Sequence, residues 1–368
     1  MTNGMLRPPV RQSVNYKYVM EQRVIISQNL EADLVLAISE CEHDKLFILT
    51  DSTTRQLCLP KLAGFFCLRD AHVIEIGTTD THKDINTLGH VWKELGDNGA
   101  TRHSCLINLG GGVVTDLGGF AASTFKRGID FINIPTTLLA MVDASVGGKT
   151  GINFNGLKNE VGVFSDSKFV ILCTQFLDTL DYANISSGYG EMIKHGLISN
   201  AAMWRELMGF DLQQPDLAKL QNMVADSVRV KERVVEEDPF EKGIRKALNL
   251  GHTIGHAFES WSLEHDRPIL HGHAVAYGLV CELYLSAVKA GFPTDTLRQA
   301  LHFIKDNYPR LAYTCDDYEE FYRLMKHDKK NTADSINFTL LRGIGDIAIN
   351  QTASKEEIYE ALDFYREN

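Results

Sequence analysis

The sequence predicts an α/β protein in two parts, an N-terminal half built on a mostly parallel sheet and a C-terminal half made of α-helices. Three observations carry this. Residues 1–180 alternate short apolar runs with helical stretches, and from about 181 onward long helical periodicities with few β-branched runs take over. The 368 residues, 44% hydrophobic and 23% charged, suffice for two to three globular domains at about 150 residues each. The same balance excludes disordered and fibrous classes.

In chain order, strands are predicted at 46–50 (LFILT), 73–76 (VIEI), 104–109 (SCLINL), 131–134 (FINI) and 169–173 (FVILC). A helical pattern at 84–96 separates the second from the third, which is βαβ spacing and a nucleotide-binding type of architecture. Helices are predicted over 216–236 and 244–262, and only 336–348 (INFTLLRGIGDIA) reads as extended, in the manner of a hairpin. Domains are therefore expected over 1–180 and 181–368, with the boundary near 178–186.

Charge narrows the function. Thirty-seven basic against 48 acidic residues leave a net charge of -11, which argues against a nucleic-acid or anionic-membrane surface; an anionic ligand must be met by a local basic cluster. No run approaches the roughly 18 apolar residues of a membrane span. The first residues, MTNGMLRPPV, lack the order of a signal peptide, so a cytoplasmic protein is expected. The seven cysteines (41, 58, 67, 105, 173, 281 and 315) form an odd set without close pairs, fitting neither a disulfide framework nor a zinc knuckle. They are expected to be reduced and mostly in the core.

Three constellations carry chemistry. Gly110-Gly111-Gly112-Val113-Val114-Thr115-Asp116-Leu117-Gly118-Gly119 follows a predicted strand, where backbone N–H groups and a helix N-terminus suit a pyrophosphate. The spacing is not G-x-G-x-x-G, and a tight turn with close helix packing is the plain alternative. Next, Pro135-Thr136-Thr137, Asp143, Ser145, Gly147-Gly148-Lys149 and Lys158-Asn159 offer donors to an anionic or polyhydroxylated ligand, against a glycine-rich loop with solvated lysines. The third is the most informative: Arg245, Asn249, His252 and His256 stand at i, i+4, i+7 and i+11, within about a 60° sector of one helix face. A polar stripe on an otherwise apolar helix implies a cavity with something to bind. Two histidines four apart can share a metal, and Glu191, one turn before Lys194, with two of His252, His256, His271 and His273 would make a three-ligand zinc set with one open position. Spacing does not choose among the four histidines. Lys83, Lys231, Lys329 and Lys330, each read alone, are solvated charges.

Together these residues resemble the dehydroquinate synthase family of the sugar-phosphate cyclases. The matching segments are 110–153, 188–196 (GYGEMIKHG), 242–259 (KGIRKALNLGHTIGHAFE) and 270–278 (LHGHAVAYG), within a likeness running from about 46 to 345. The resemblance implies an NAD-binding α/β domain, a helical domain and a metal-dependent site in the cleft between them. It assigns NAD contacts to Asp51, Asp80, Lys83, Gly111, Gly112, Asp116, Thr136, Thr137, Asp143, Lys149, Lys158, Phe176 and Thr179. Zn²⁺ or Co²⁺ would be held by Glu191, His252 and His271, which makes His256 a neighbour or substrate contact. Substrate would meet Arg127, Lys149, Asn159, Lys194, Lys231, Arg245, Asn249, His256 and one of Lys329 or Lys330.

Two positions depart from the family pattern. His273 stands where a glutamate is usual, leaving a spare histidine near the metal, and Asp80 stands where glutamate is common. The implied reaction converts 3-deoxy-D-arabino-heptulosonate 7-phosphate to 3-dehydroquinate and phosphate, with NAD regenerated in each turnover and a homodimer as the expected assembly. The rivals are a cyclase making a deoxyinosose or valiolone-type ring, a metal-dependent polyol dehydrogenase, and a binding module without turnover. Arg245, Asn249, His256 and the Lys329-Lys330 pair favour the carboxylated substrate.

Overall fold

The computed structural model describes residues 22–327 and 336–368. The chain begins β1 (Arg23–Ile26), α1 (Leu30–Glu40), β2 (Leu46–Asp51), α2 (Ser52–Leu57), β3 (His72–Ile76), α3 (Ile85–Asp97), β4 (Cys105–Gly110), α4 (Gly112–Thr124) and β5 (Asp130–Pro135). The hairpin β6 (Lys149–Phe154) and β7 (Leu157–Phe164) follows, then β8 (Phe169–Leu172). Six strands pair in the order β1-β8-β5-β4-β2-β3, every neighbour parallel. Each residue of β4 and β8 is buried, so β8 reads as an unbroken apolar run and β4 as one broken by Asn108, whose amide donates to Asn133 Oδ1 at 2.9 Å. All five predicted strands are present. The edge strand β1 was not foreseen.

A parallel sheet sends its loops out from one edge. Asp51 ends β2, Gly110 ends β4 and Pro135 ends β5, so the Gly111-Gly112 turn and Thr136-Thr137 leave side by side, tied by Thr136 N–H donating to Gly110 O at 3.0 Å. The stretch 147–159, read as ligand donors with a glycine-rich loop as the plain alternative, largely forms the hairpin. Its turn is Asn155-Gly156, with φ of 50° and 79°, the Asn-Gly pattern of a two-residue hairpin loop.

The second part is helical: α5 (Tyr182–Ser199), α6 (Ala201–Met208), α7 (Leu217–Glu237), α8 (His252–Glu264), α9 (His271–Ala290), α10 (Thr294–Asn307) and α11 (Tyr318–His327). The expected hairpin follows as antiparallel β9 (Asn337–Gly343) and β10 (Asp346–Thr352), and α12 (Lys355–Glu367) ends the chain. One expectation fails here. The helix predicted over 244–262 is broken: Ile244–Asn249 is a single stretch of 3-10 helix, Leu250 leaves the helical region, and Gly251 sits at φ 78° before α8 starts. Left-handed geometry is the reason for glycine there. Glycine brings no capping side chain, and the buried Glu282 of α9 supplies one, accepting from Gly251 N–H at 2.7 Å and Ile254 N–H at 3.1 Å.

The helices cross at very short range. A Cβ on Gly278 would lie 2.0 Å from Gly251 O, and one on Gly272 would lie 1.7 Å from Ser187 O. These crossings draw α5, α8 and α9 together around Glu191, His252 and His271. Gly272→Ala therefore forces α9 away from α5. We expect it to lower unfolding stability by about 1–3 kcal/mol, read as a reduced midpoint in urea without a change of slope.

Candidate functional site

Glu191, at the middle of α5, is fully buried, and Lys194 one turn later donates to its Oε2. The other oxygen, Oε1, lies 3.4 Å from His252 Nε2 and 3.5 Å from His271 Nε2. No described residue makes a hydrogen bond to it. Both imidazoles are oriented from behind: His252 Nδ1 donates to Leu250 O at 3.1 Å, and His271 Nδ1 donates to Glu259 Oε2 at 3.0 Å. A carbonyl and an ionised carboxylate only accept, so the protons sit on the Nδ1 atoms and both Nε2 atoms face Glu191. Two ligands about 2.1 Å from a tetrahedral cation stand about 3.4 Å apart. The spacing of this cluster fits a divalent metal.

Electrostatics point the same way. Burial would raise the Glu191 carboxyl, but Lys194 and His252 bring it well below its ordinary range. Burial would lower the His271 imidazole, yet Glu259 and Glu191 raise it to about 10. His256 Nδ1 or Nε2 also lies within 4.8 Å of the ligand atoms of His252 and His271, so the trio His252, His256 and His271 is a second geometric option. Another cluster among the described residues, His265, Asp317 and Glu320, is more open to solvent.

Ion pairs join the sheet half to the helical half beside this cluster. Lys149 donates to Glu241 Oε2 at 2.6 Å, and Asn249 donates to the other oxygen of Glu241 at 2.8 Å. Lys158 donates to Glu259 Oε1 at 2.6 Å. Lys231 of α7 is buried and donates to Asp143, whose carboxyl it holds well below the usual range although burial pushes the other way. On the sheet side Lys83 donates to Asp116 and Asn159, and Asp80 accepts from Asn153 at 3.0 Å. Burial raises the Asp116 carboxyl in spite of Lys83. Glu241 and Glu259 were missed by sequence reasoning. Glu259 stands seven residues after His252, two turns along α8, which is the signal that was available.

Other expected residues are placed differently. Arg245 does not share one helix face with the histidines: it donates to Pro239 O at 2.6 Å and Gly147 O at 3.1 Å, clamping two backbone turns. Asn159 is tied to Lys83 on the sheet side. Arg127 lies at the opposite edge of the sheet, lining a cavity with Arg102, Asp130 and Lys168. Phe176 is buried in the core, and Thr179 donates to Phe176 O at 2.7 Å. His273 is not a spare metal ligand, for its Nε2 pairs with Ser186 Oγ at 2.9 Å and its ring meets Tyr308 edge-on. Lys329 and Lys330 lie outside the described residues. Five of the cysteines are buried, Cys67 is partly buried, and Cys315 is exposed.

Breaking a buried pair leaves a charge without compensation. Lys194→Met is expected to destabilise the metal-free protein by about 3 kcal/mol, measured by urea unfolding in chelator, and by clearly less with zinc bound, because the cation then compensates Glu191.

Comparison with known proteins accords with this geometry. Residues 73–187 match the family model described as 3-dehydroquinate synthase N-terminal, and 188–331 the model described as 3-dehydroquinate synthase C-terminal. The 3-dehydroquinate synthase of Parabacteroides distasonis is 54% identical over 348 residues, 95% of this chain and 99% of that one. A 2-epi-5-epi-valiolone synthase from Streptomyces hygroscopicus, solved with NAD⁺ and Zn²⁺, superposes with TM-score 0.80 at 25% identity over 98% of this chain and 99% of that chain. A 2-deoxy-scyllo-inosose synthase, solved with carbaglucose-6-phosphate, NAD⁺ and Co²⁺, shares the fold with TM-score 0.81 at 23% identity, covering 94% and 96%. With more than half its length matched by both family models and a relative this similar end to end, the chain belongs to the 3-dehydroquinate synthase family.

Proposed function

We propose that the chain works as a 3-dehydroquinate synthase, a carbon–oxygen lyase that converts 3-deoxy-D-arabino-heptulosonate 7-phosphate to 3-dehydroquinate and phosphate. The observation that carries the site is the convergence of Glu191 Oε1, His252 Nε2 and His271 Nε2 on one buried point. When bound, NAD would supply a reversible hydride acceptor and a divalent cation held by Glu191, His252 and His271 would supply polarisation of substrate hydroxyls. The ketone at carbon 5 acidifies the proton at carbon 6, phosphate leaves carbon 7 by β-elimination, and re-reduction, ring opening and an aldol closure complete the turnover.

The residues divide this work. Glu191, His252 and His271 hold the cation, with His256 beside them towards the substrate. Backbone N–H groups of Gly111 and Gly112 at the start of α4 receive the pyrophosphate, and Asp51, Asp80, Lys83, Asp116, Thr136, Thr137, Asp143, Lys158 and Thr179 surround the dinucleotide. Lys149, Lys194, Lys231, Arg245 and Asn249 orient the phosphate and carboxylate of the substrate. Domains over 1–180 and 181–368 belong to the same proposal, the pairs Lys149–Glu241 and Lys158–Glu259 spanning their cleft. So does a homodimer in the cytoplasm. Support for the dimer comes from β7, exposed along its length with Leu157, Val161, Val163 and Phe164 facing out.

With NAD far below substrate concentration, phosphate release should run to completion without net NADH; steady accumulation of NADH would instead mark a dehydrogenase. His252→Ala should lose bound zinc and phosphate release together, read by metal analysis and a phosphate assay, and an active variant with full zinc content would remove His252 from the ligand set.

A further inference from the structure

Glu259 accounts for more than a surface ion pair. Its side chain is nearly buried on α8, and its two oxygens are divided between two elements. Oε2 accepts from His271 Nδ1 at 3.0 Å, while Oε1 accepts from Lys158 Nζ at 2.6 Å. Lys158 in turn stands 3.6 Å from Asp80 Oδ2. A continuous line thus runs from Asp80 through Lys158, Glu259 and His271 to Glu191. The lysine side chain is about half exposed, at 47%, so the Lys158–Glu259 pair adds little to stability by itself. A carboxylate behind an imidazole does something else: it fixes the tautomer and ring angle and raises the basicity of the far nitrogen.

We propose that Glu259 is the positioning residue of the metal site, aiming His271 Nε2 at the cation, and that Lys158 links this aim to the dinucleotide-binding hairpin. The inference rests on the metal reading given above and deepens it, because it ties cation affinity to Lys158, which touches no metal ligand. Lys158 sits on β7 beside the Asn155-Gly156 turn, so a change in that hairpin reaches the cation through Glu259. Glutamine in place of Glu259 keeps the shape but brings an uncharged amide, whose single oxygen can replace only one of the two acceptors and whose NH2 then faces a donor, the imidazole or the ammonium.

The test is a zinc titration of the full-length protein against a chromophoric chelator. Glu259→Gln should weaken zinc about 10- to 100-fold. In a His271→Ala background the same change should have no further effect on the residual affinity, whereas a purely structural role would weaken both backgrounds alike. Lys158→Met should shift zinc affinity in the unmodified chain and leave it unchanged in the Glu259→Gln background. Unchanged zinc affinity in Glu259→Gln, or equal losses with and without His271, would overturn the positioning role, and equal or absent Lys158 effects would overturn the link. Glu191→Gln separates the two levels. If it binds zinc as tightly as the unmodified chain, the metal reading itself fails; if it loses zinc while Glu259→Gln keeps it, only this inference falls.

Discussion

Three atoms able to ligate a cation meet at one point inside the helical half. Glu191 Oε1, His252 Nε2 and His271 Nε2 stand at 3.4 and 3.5 Å, with the protons of both rings committed to Leu250 O and Glu259. Burying such a group without a positive charge is costly. Much of the surrounding packing serves to enforce it. Lys194 occupies the remaining oxygen of Glu191, Glu282 caps α8 where Gly251 cannot, and glycine at 272 and 278 lets three helices approach to backbone distance. A side chain at any of these crossings would relax the very distances a cation needs.

The sheet half contributes a different constraint. Because its strands are parallel, their carboxyl ends share one edge, and the turns after β4 and β5 are held together by a backbone hydrogen bond. The hairpin β6–β7 then carries Lys149 and Lys158 away from the sheet and onto acidic partners of the helical half. The pairs that join the proposed dinucleotide and metal segments, Lys149–Glu241 and Lys158–Glu259, are 92 and 101 positions apart in the chain, yet they form a line of short polar contacts. Alignment of a hydride acceptor with a polarised hydroxyl needs such rigidity across the junction, since small errors in orientation are expensive for the rate.

The parallel strands were legible because strands buried on both faces leave largely apolar runs, broken in β4 and β5 by Asn108 and Asn133, which pair with each other at 2.9 Å across the sheet. β1 escaped notice as a four-residue edge strand beginning on an exposed arginine. The break before α8 was invisible to periodicity, because Arg245, Asn249 and His252 keep helical spacing straight across it; only Glu282, thirty residues away, reveals that a cap is needed there. The hairpin was written as Asn155-Gly156 but lay among glycines and lysines that drew a ligand interpretation. For the site, spacing offered His256 as readily as His252, and the choice of Glu191 with His252 and His271 came from family likeness. Glu241 acts on partners in other elements, and such contacts leave no pattern along the chain, while Glu259 left only its two-turn spacing from His252.

A chain with net charge -11 that handles an anionic substrate poses a question of where the attraction comes from. The lysines do not form a bare positive patch. Lys83 pairs with Asp116, Lys149 with Glu241, Lys158 with Glu259, Lys194 with Glu191 and Lys231 with Asp143. Each ammonium is already compensated, so a phosphate or carboxylate gains by exchange with a carboxylate rather than by simple neutralisation. Exchange makes the net binding energy a difference, sensitive to the geometry of the incoming anion and weak towards anions that fit poorly. The half-exposed Lys149, shared with Asn249 through Glu241, is the easiest of the five to redirect, whereas Lys194 and Lys231 are buried and already fixed. A gradient from yielding to rigid lysines lets the substrate displace one carboxylate at the rim while the inner cations keep the positions they hold before it arrives.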